Sequence, residues 1–510
     1  MAALAAAALA TPLLISSATP AAATPPASGG DSAKRAAQLS RQLVKNSSAK
    51  DARAHLERFQ AIAERSGGHR AAGSPGHDAS AAYVYRLLKK AGYRVSYDPF
   101  EFVYTETLAE KLSVVSPTPR EVSVKAMTYT RSTPVGGLKA AVAAVPVDGT
   151  TGCEASDYAS GTFTGKIALI KRGGCAFAEK QAAAADAGAA AAIVYNNVPG
   201  ALSGTIGDPT AGRIPTGGVS QTDGEALVAE AGRGEVTVNL EVREFQEKRV
   251  TNNVIAETRG GDPAQTVMLG AHLDSVSAGP GINDNGSGSA GLLEVALELA
   301  ETHKKPAHKI RFAWWSAEEL GLLGSKAYVA ELSEAQRKQI PLYLNFDMIA
   351  SPNFGQFVYD GDNSDGVGEP AGPEGSAQLE KQINDFLDRR GAAHEGTDFT
   401  GRSDYGPFIA VGIPSGGTFT GAEGVKTAQQ AEKFGGTAGQ AYDACYHAAC
   451  DDIDNIHMGA FETNIDVIAH SVGTYAYDLR SLREPVVTVP TEGDAGSGGG
   501  LHDDHDPVTE

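Results

Sequence analysis

Cysteine is scarce in this chain of 510 residues, with only Cys153, Cys175, Cys445 and Cys450. Their spacing lacks the paired CxxC elements of a four-thiol zinc site, and a long stretch separates the first two from the last two. Two short-range pairings suit an oxidising compartment, although four thiols formally allow three connectivities. Basic residues are also in deficit. The 43 lysines and arginines against 62 acidic residues give a formal charge of −19, which argues against broad attraction to nucleic acid or an anionic membrane. Beyond the N-terminal leader no apolar run is long and clean enough for a membrane span. A GxxxxGK[ST] phosphate loop and a dinucleotide glycine fingerprint are missing, and so is the GxSxG elbow on which a serine-hydrolase route would depend.

What is present is enough chain for one large core and a second, smaller one, so two domains are expected. Residues 1–23 are rich in alanine and leucine, carry no charge and end in Ala21-Ala22-Ala23, a small-residue pattern fit for signal-peptide cleavage and export. The positive n-region of such a peptide is lacking, and a disordered Ala/Pro leader is the competing reading. A Pro/Ser/Gly segment follows. Residues beyond about 484 are rich in Pro, Thr, Gly and Asp and read as a flexible tail, with His502 and His505 as tail residues rather than ligands.

Between these ends, apolar spacing predicts helix over 35–64 and again over 79–91, where Gly92 offers a stop. Residues 95–107 read as strand. From about 112 the texture changes to short valine-rich runs broken by glycine, then a strand over 166–171, an alanine-rich helix over 176–188 and a strand over 189–195. That stretch has no converging histidines and carboxylates, so it reads as a binding, lid or stability module. From 251 onward strands and helices alternate: strand 265–270, helix 288–302, strand 309–315, helix 324–330, strand 342–346. This is an α/β pattern, and its polar residues sit just after three of the strands, where an open α/β sheet forms its crevice.

Those residues form a constellation. His272 and Asp274 are two apart after a strand, a spacing that turns both toward one face, with the aspartate able to orient the histidine. Asp284 sits in the glycine-rich Gly281–Gly288 turn that enters a helix, and one carboxylate has two oxygens with which to bridge two divalent ions. Trp314-Trp315-Ser316-Ala317-Glu318-Glu319 supplies adjacent carboxylates at a strand end, one for metal and its neighbour for the reacting water. The bland alternative is an acidic loop capping the next helix. Asp347 adds another strand-end carboxylate, and His447 lies between Cys445 and Cys450. Two histidines, two terminal carboxylates and a shared Asp284 balance as a pair of metal sites, leaving Glu318 as base.

The motifs GAHLDS, GINDNGSG, WWSAEELGLLGS, FDMI, GRSDYGPF and YDACYHAACD together resemble the secreted streptomycete-type aminopeptidases of the co-catalytic di-zinc metallopeptidase family. The resemblance implies a mixed β-sheet flanked by helices. It places His272 and Asp347 on one zinc, Glu319 and His447 on the other and Asp284 on both. Glu318 matches the general base, Asp274 the orienter of His272, and Tyr446 the group that stabilises the oxyanion. Arg402 would position substrate, and Met348, Phe419 and Tyr446 would wall a pocket for a large hydrophobic N-terminal residue, although core roles for Met348 and Phe419 compete. Calcium is a further expectation at Asp466, with Glu462 where the family has an aspartate. Residues 112–248, above all GKIALIKRGGCAFAEKQAAAADAGAAAAIVYNN, resemble a protease-associated domain inserted into the peptidase. The implied organisation is a signal peptide at 1–23, a leader at 24–32, catalytic parts at 33–111 and 249–484, the insert at 112–248 and a tail at 485–510. Peptides with a free N-terminus, a monomeric state and extracellular localisation follow from the same resemblance. A related carboxypeptidase or dipeptidase, and a catalytically silent peptide-binding protein, are the alternatives. These ligand types also accept cobalt or manganese.

Overall fold

The computed structural model describes residues 29–198, 200–366 and 368–486; the expected signal segment and most of the tail lie outside that range. Two N-terminal helices, Gly29–Asn46 and Ala49–Arg65, replace the single expected helical stretch. They are separate because the Ser48 hydroxyl caps the second by accepting the Asp51 amide. The first begins inside the expected leader. A third helix, Pro75–Lys90, starts with proline in its first turn after the Ser74 cap.

The peptidase part is built on a mixed sheet. Its central strands Asp262–His272, His308–Trp315, Leu342–Phe346 and Ser415–Phe419 are mutually parallel, and Phe357–Tyr359 and Glu395–Thr397 extend one edge. These strands are almost wholly buried because helices cover both faces, as their continuous apolar character requires. One face packs against the helices Gly29–Asn46, Ala49–Arg65, Gly288–Glu301, Ser376–Arg390 and Met458–Tyr475. The other carries Trp315, Tyr343, Tyr359, Tyr405 and Phe408.

Two long antiparallel strands, Arg94–Ser116 and Thr237–Glu257, leave this body as a ribbon and carry a second sheet. That sheet contains Leu138–Ala144, Ile167–Lys171, Ala191–Tyr195 and Thr216–Val219, with the helices Phe177–Asp186 and Gln221–Ala231. The ribbon runs unbroken past residues 112 and 248, so the inserted unit hangs on continuous strands rather than on loops. Its cysteines pair as Cys153–Cys175; the other disulfide is Cys445–Cys450. Among the described residues no helix is long and apolar enough to cross a membrane.

Candidate metal centre and active site

Three of the buried parallel strands end together and deliver polar side chains to the same crevice. His272 is the last residue of its strand, paired with Trp315 across the sheet. Glu318 and Glu319 follow Trp315, and Asp347 follows Phe346.

Asp284 arrives differently, on a single wide turn, Ile282–Ser287, in which Asp284 and Asn285 leave helical geometry and are joined by a cis peptide. Side chains from elsewhere hold that turn. The Asp451 carboxylate accepts the amides of Asn283 at 2.8 Å and Asp284 at 3.0 Å. Asn285 donates to the Phe346 carbonyl at 3.0 Å and accepts the Gly288 amide at 2.8 Å. Gly288 admits no side chain, since a Cβ there would stand 2.1 Å from the Phe346 carbonyl oxygen.

The result is a compact set of donors. The Nε2 of His272 lies 3.2 Å from Asp284 Oδ1 and 3.3 Å from Asp347 Oδ1. The Nε2 of His447 lies 3.2 Å from Asp284 Oδ2 and 2.9 Å from Glu319 Oε2. Asp284 thus offers a different oxygen to each histidine. His272, Asp284 and Glu319, and separately His272, Glu318 and Asp347, bring ligand atoms within 4.8 Å of one another. Glu318 Oε2 stands farther out, 3.9 Å from His272.

The chemistry of these groups fits two divalent cations. Glu319 Oε1, Asp347 Oδ1 and Asp274 Oδ2 are buried without a hydrogen-bond partner, a condition native carboxylates rarely tolerate unless an ion satisfies them. Burial opposes charge on His272, yet the carboxylates of Asp347 and Glu318 outweigh it and raise its pKa well above the ordinary value. Glu319 and Asp284 do the same for His447 against the same opposing burial. Burial would also raise Asp284, but its contacts with the two histidines hold it below the usual carboxylate range. Burial pushes Glu318 well above the ordinary glutamate value, opposed by His272 and reinforced by Asp347, Asp404 and Glu319.

Asp274 lies beside His272 as expected, but the contact is divided. The nearer acceptor for His272 Nδ1 is the Asp274 carbonyl at 3.2 Å; the carboxylate is 3.7 Å away and also receives the Glu318 amide at 3.3 Å. Tyr446 stacks on His447 with ring centroids 3.8 Å apart, and Arg402 donates to its hydroxyl. A cavity of about 250 Å³ opens from the donors and is walled by Met348, Phe357, Phe419, Tyr442 and Tyr446, with Asp365 and Asp398 also lining it. Beside Asp466 the structure places the Arg390 guanidinium, while Glu462 accepts the Ala49 amide.

Two supports escaped the sequence. Ser403 donates to Asp347 Oδ2 at 2.5 Å, and Asp451 clamps the Asp284 turn. Both lie next to residues singled out by motif, Arg402 and Cys450, but nothing local signals what they touch.

A mixed sheet with paired metal-ligand sets at its strand ends is the framework of a two-metal hydrolase. Residues 253–472 match Peptidase family M28, and residues 138–227 match the PA domain. The chain is 46% identical over 434 residues to "Probable leucine aminopeptidase 2" of Trichophyton verrucosum, covering 85% of each. It is 47% identical over 430 residues to "Aminopeptidase" of Pseudomonas aeruginosa, covering 81% of this chain and 78% of that one. Among solved structures, the aminopeptidase from Aneurinibacillus sp. strain AM-1 superposes with a TM-score of 0.69 at 27% identity, over 85% of this chain and 95% of that one. BSAP, a zinc aminopeptidase from Bacillus subtilis, gives 0.60 at 26% identity, over 83% and 94%. The chain belongs to peptidase family M28.

Proposed function

We propose that this chain is an exported di-zinc aminopeptidase that removes large hydrophobic residues from the free N-terminus of peptides. The observation that carries the reading is Asp284, whose two oxygens face His272 and His447 separately and so suit one carboxylate shared by two ions. His272 and Asp347 would hold one zinc, and Glu319 and His447 the other. Two such ions supply a water acidified to near neutral pH and polarisation of the scissile carbonyl.

The protein groups do the rest. Glu318, set back from the ligands, takes the proton of the attacking water and returns it to the leaving amide nitrogen. Tyr446, whose oxygen accepts from Arg402, keeps its own proton for the oxygen that gains charge. Asp274 fixes His272 from behind. Met348 and Phe419 wall the cavity together with Phe357 and Tyr442, which suits leucine- or methionine-sized side chains.

A second specificity is favoured by the carboxylates of Asp365 and Asp398 on the same cavity. A lysine or arginine side chain would lay its methylenes along the aromatic wall and its cation against those acids. Within the family, the motif set resembles that of secreted streptomycete-type enzymes, and the charge-free leader and two disulfides support export.

The test compares an amino-acid 4-nitroanilide bearing a free amine with its N-acetyl form. Hydrolysis of the first alone is expected, whereas preference for the blocked substrate or a free C-terminus would replace this reading with a carboxypeptidase. N-terminal sequencing of the protein recovered from culture medium tests export; retention in the cell with residues 1–23 intact would contradict it.

A further inference from the structure

Arg70 lies far in sequence from every ligand, in the bend between the helices Ala49–Arg65 and Pro75–Lys90. Its side chain is wholly buried. Nε donates to the Pro280 carbonyl at 2.8 Å, and the two terminal nitrogens donate to the carbonyls of Leu273 and Gly281. Its backbone amide donates to Ser275 Oγ at 2.9 Å, and the Phe59 ring lies beneath the guanidinium, 5.2 Å away.

These acceptors have one thing in common. Leu273 directly follows His272, and Pro280 and Gly281 close the same loop just before Asp284. One rigid, planar fork therefore ties the start of the inter-ligand loop to its end. The surrounding charge is also suggestive: Asp274, Asp284, Glu319 and Asp451 all act on Arg70, yet it donates to carbonyls rather than to any of them. An arginine present only to offset negative charge would pair with a carboxylate. Burial lowers its pKa to about 10, so it stays charged at neutral pH.

We propose that Arg70 is a positioning residue of the metal centre, clamping the 273–281 loop so that His272 and Asp284 stand at ligand spacing before any metal arrives. The proposal rests on the two-metal reading above. It gives the N-terminal helices a role in the site that no ligand motif shows. Without the fork, the interior carbonyls of Leu273 and Pro280 lose their donor, Gly281 keeps only the Gly286 amide, and the loop has to find another path.

The experiment uses the full-length chain, stripped of metal and titrated with zinc against a competing chelator. Arg70→Met removes fork and charge; Arg70→Lys keeps the charge but loses the fork. Both are expected to bind zinc about 10- to 100-fold more weakly than the parent, the usual effect of losing a ligand's outer support. Leu43→Ala, in the same core but away from the loop, should lower the melting temperature of the metal-free protein and leave zinc affinity unchanged. Parental zinc affinity in a folded Arg70 variant overturns the proposal.

Hydrogen exchange on the unaltered metal-free protein provides a test that no folding failure can spoil. The amides of Asn283 and Asp284 should stay protected nearly as well as in the zinc-loaded form, and their free exchange without metal would equally overturn the clamp. If the parent itself binds no zinc, the two-metal reading fails; if the parent binds two and the variants match it, only the role of Arg70 fails.

Discussion

The Arg402 guanidinium donates to the Tyr446 hydroxyl at 3.1 Å, and the same nitrogen holds Glu423 at 2.9 Å. The tyrosine oxygen is thereby an acceptor, which leaves its hydrogen to point at substrate. Burial also holds the phenol well above its ordinary pKa, with Arg402 opposing. Tyr446→Phe should reduce kcat by roughly 10²–10³, the usual loss for an oxyanion donor. Arg402→Met should reduce it by about tenfold, one hydrogen bond's worth. Steady-state kinetics on a leucine 4-nitroanilide checks both, and an effect confined to KM would assign these residues to ground-state binding instead.

Glu318 is the buried carboxylate set back from the ligands. Glu318→Gln should lower kcat by about 10²–10⁴ while metal content stays at the parental value. Parallel elemental analysis separates this from ligand loss, because Glu319→Gln is expected to release metal as well as activity.

The Cys445–Cys450 disulfide, between cysteines five positions apart, closes a short loop that carries both Tyr446 and His447. A paired Cys445→Ser, Cys450→Ser variant should lose about 10²-fold in kcat through misplacement of these two side chains. Serine at Cys153 and Cys175, in the inserted unit, should leave kcat on a small substrate unchanged. Equal losses from both pairs would point to general destabilisation.

Stability should fall in acid for a reason separate from the site. His470 stacks on Phe386 and shares a hydrogen bond with Ser40, which ties the first helix to the helix Met458–Tyr475. Burial, then Arg389 and Arg390, lower its pKa to about 4. The unfolded chain binds this proton from about pH 6.5 downward while the folded chain resists until about 4, so the contribution is present at neutral pH and lost as pH falls through that window. His470→Gln should show a shallower fall in melting temperature between pH 6.5 and 4; parallel curves would exclude this histidine as a source of acid sensitivity.

How much of this was legible in the sequence depended on contiguity. His272, Glu319 and Asp347 lie in short motifs at strand ends, where apolar runs stop and polar residues begin, while Asp284 and His447 lie in motif-bearing loops. The convergence of the first three follows from a parallel sheet that brings those ends together. The wide turn that delivers Asp284 was hidden, because it depends on Asp451 and Asn285 reaching partners far along the chain. Arg70 was silent for the same reason, since its partners are main-chain carbonyls roughly 200 residues away. Of the two ribbon strands, the first was expected to end at 107 and the second was not expected. Their half-exposed residues between the bodies lack the apolar alternation that marks a core strand.

The most direct test of the two-metal site measures bound zinc and aminopeptidase activity on the same purified sample, before and after chelation and again on re-addition of zinc. Two ions per chain are expected, with activity lost as they are removed and regained as they return. Full activity in the metal-free protein would contradict it.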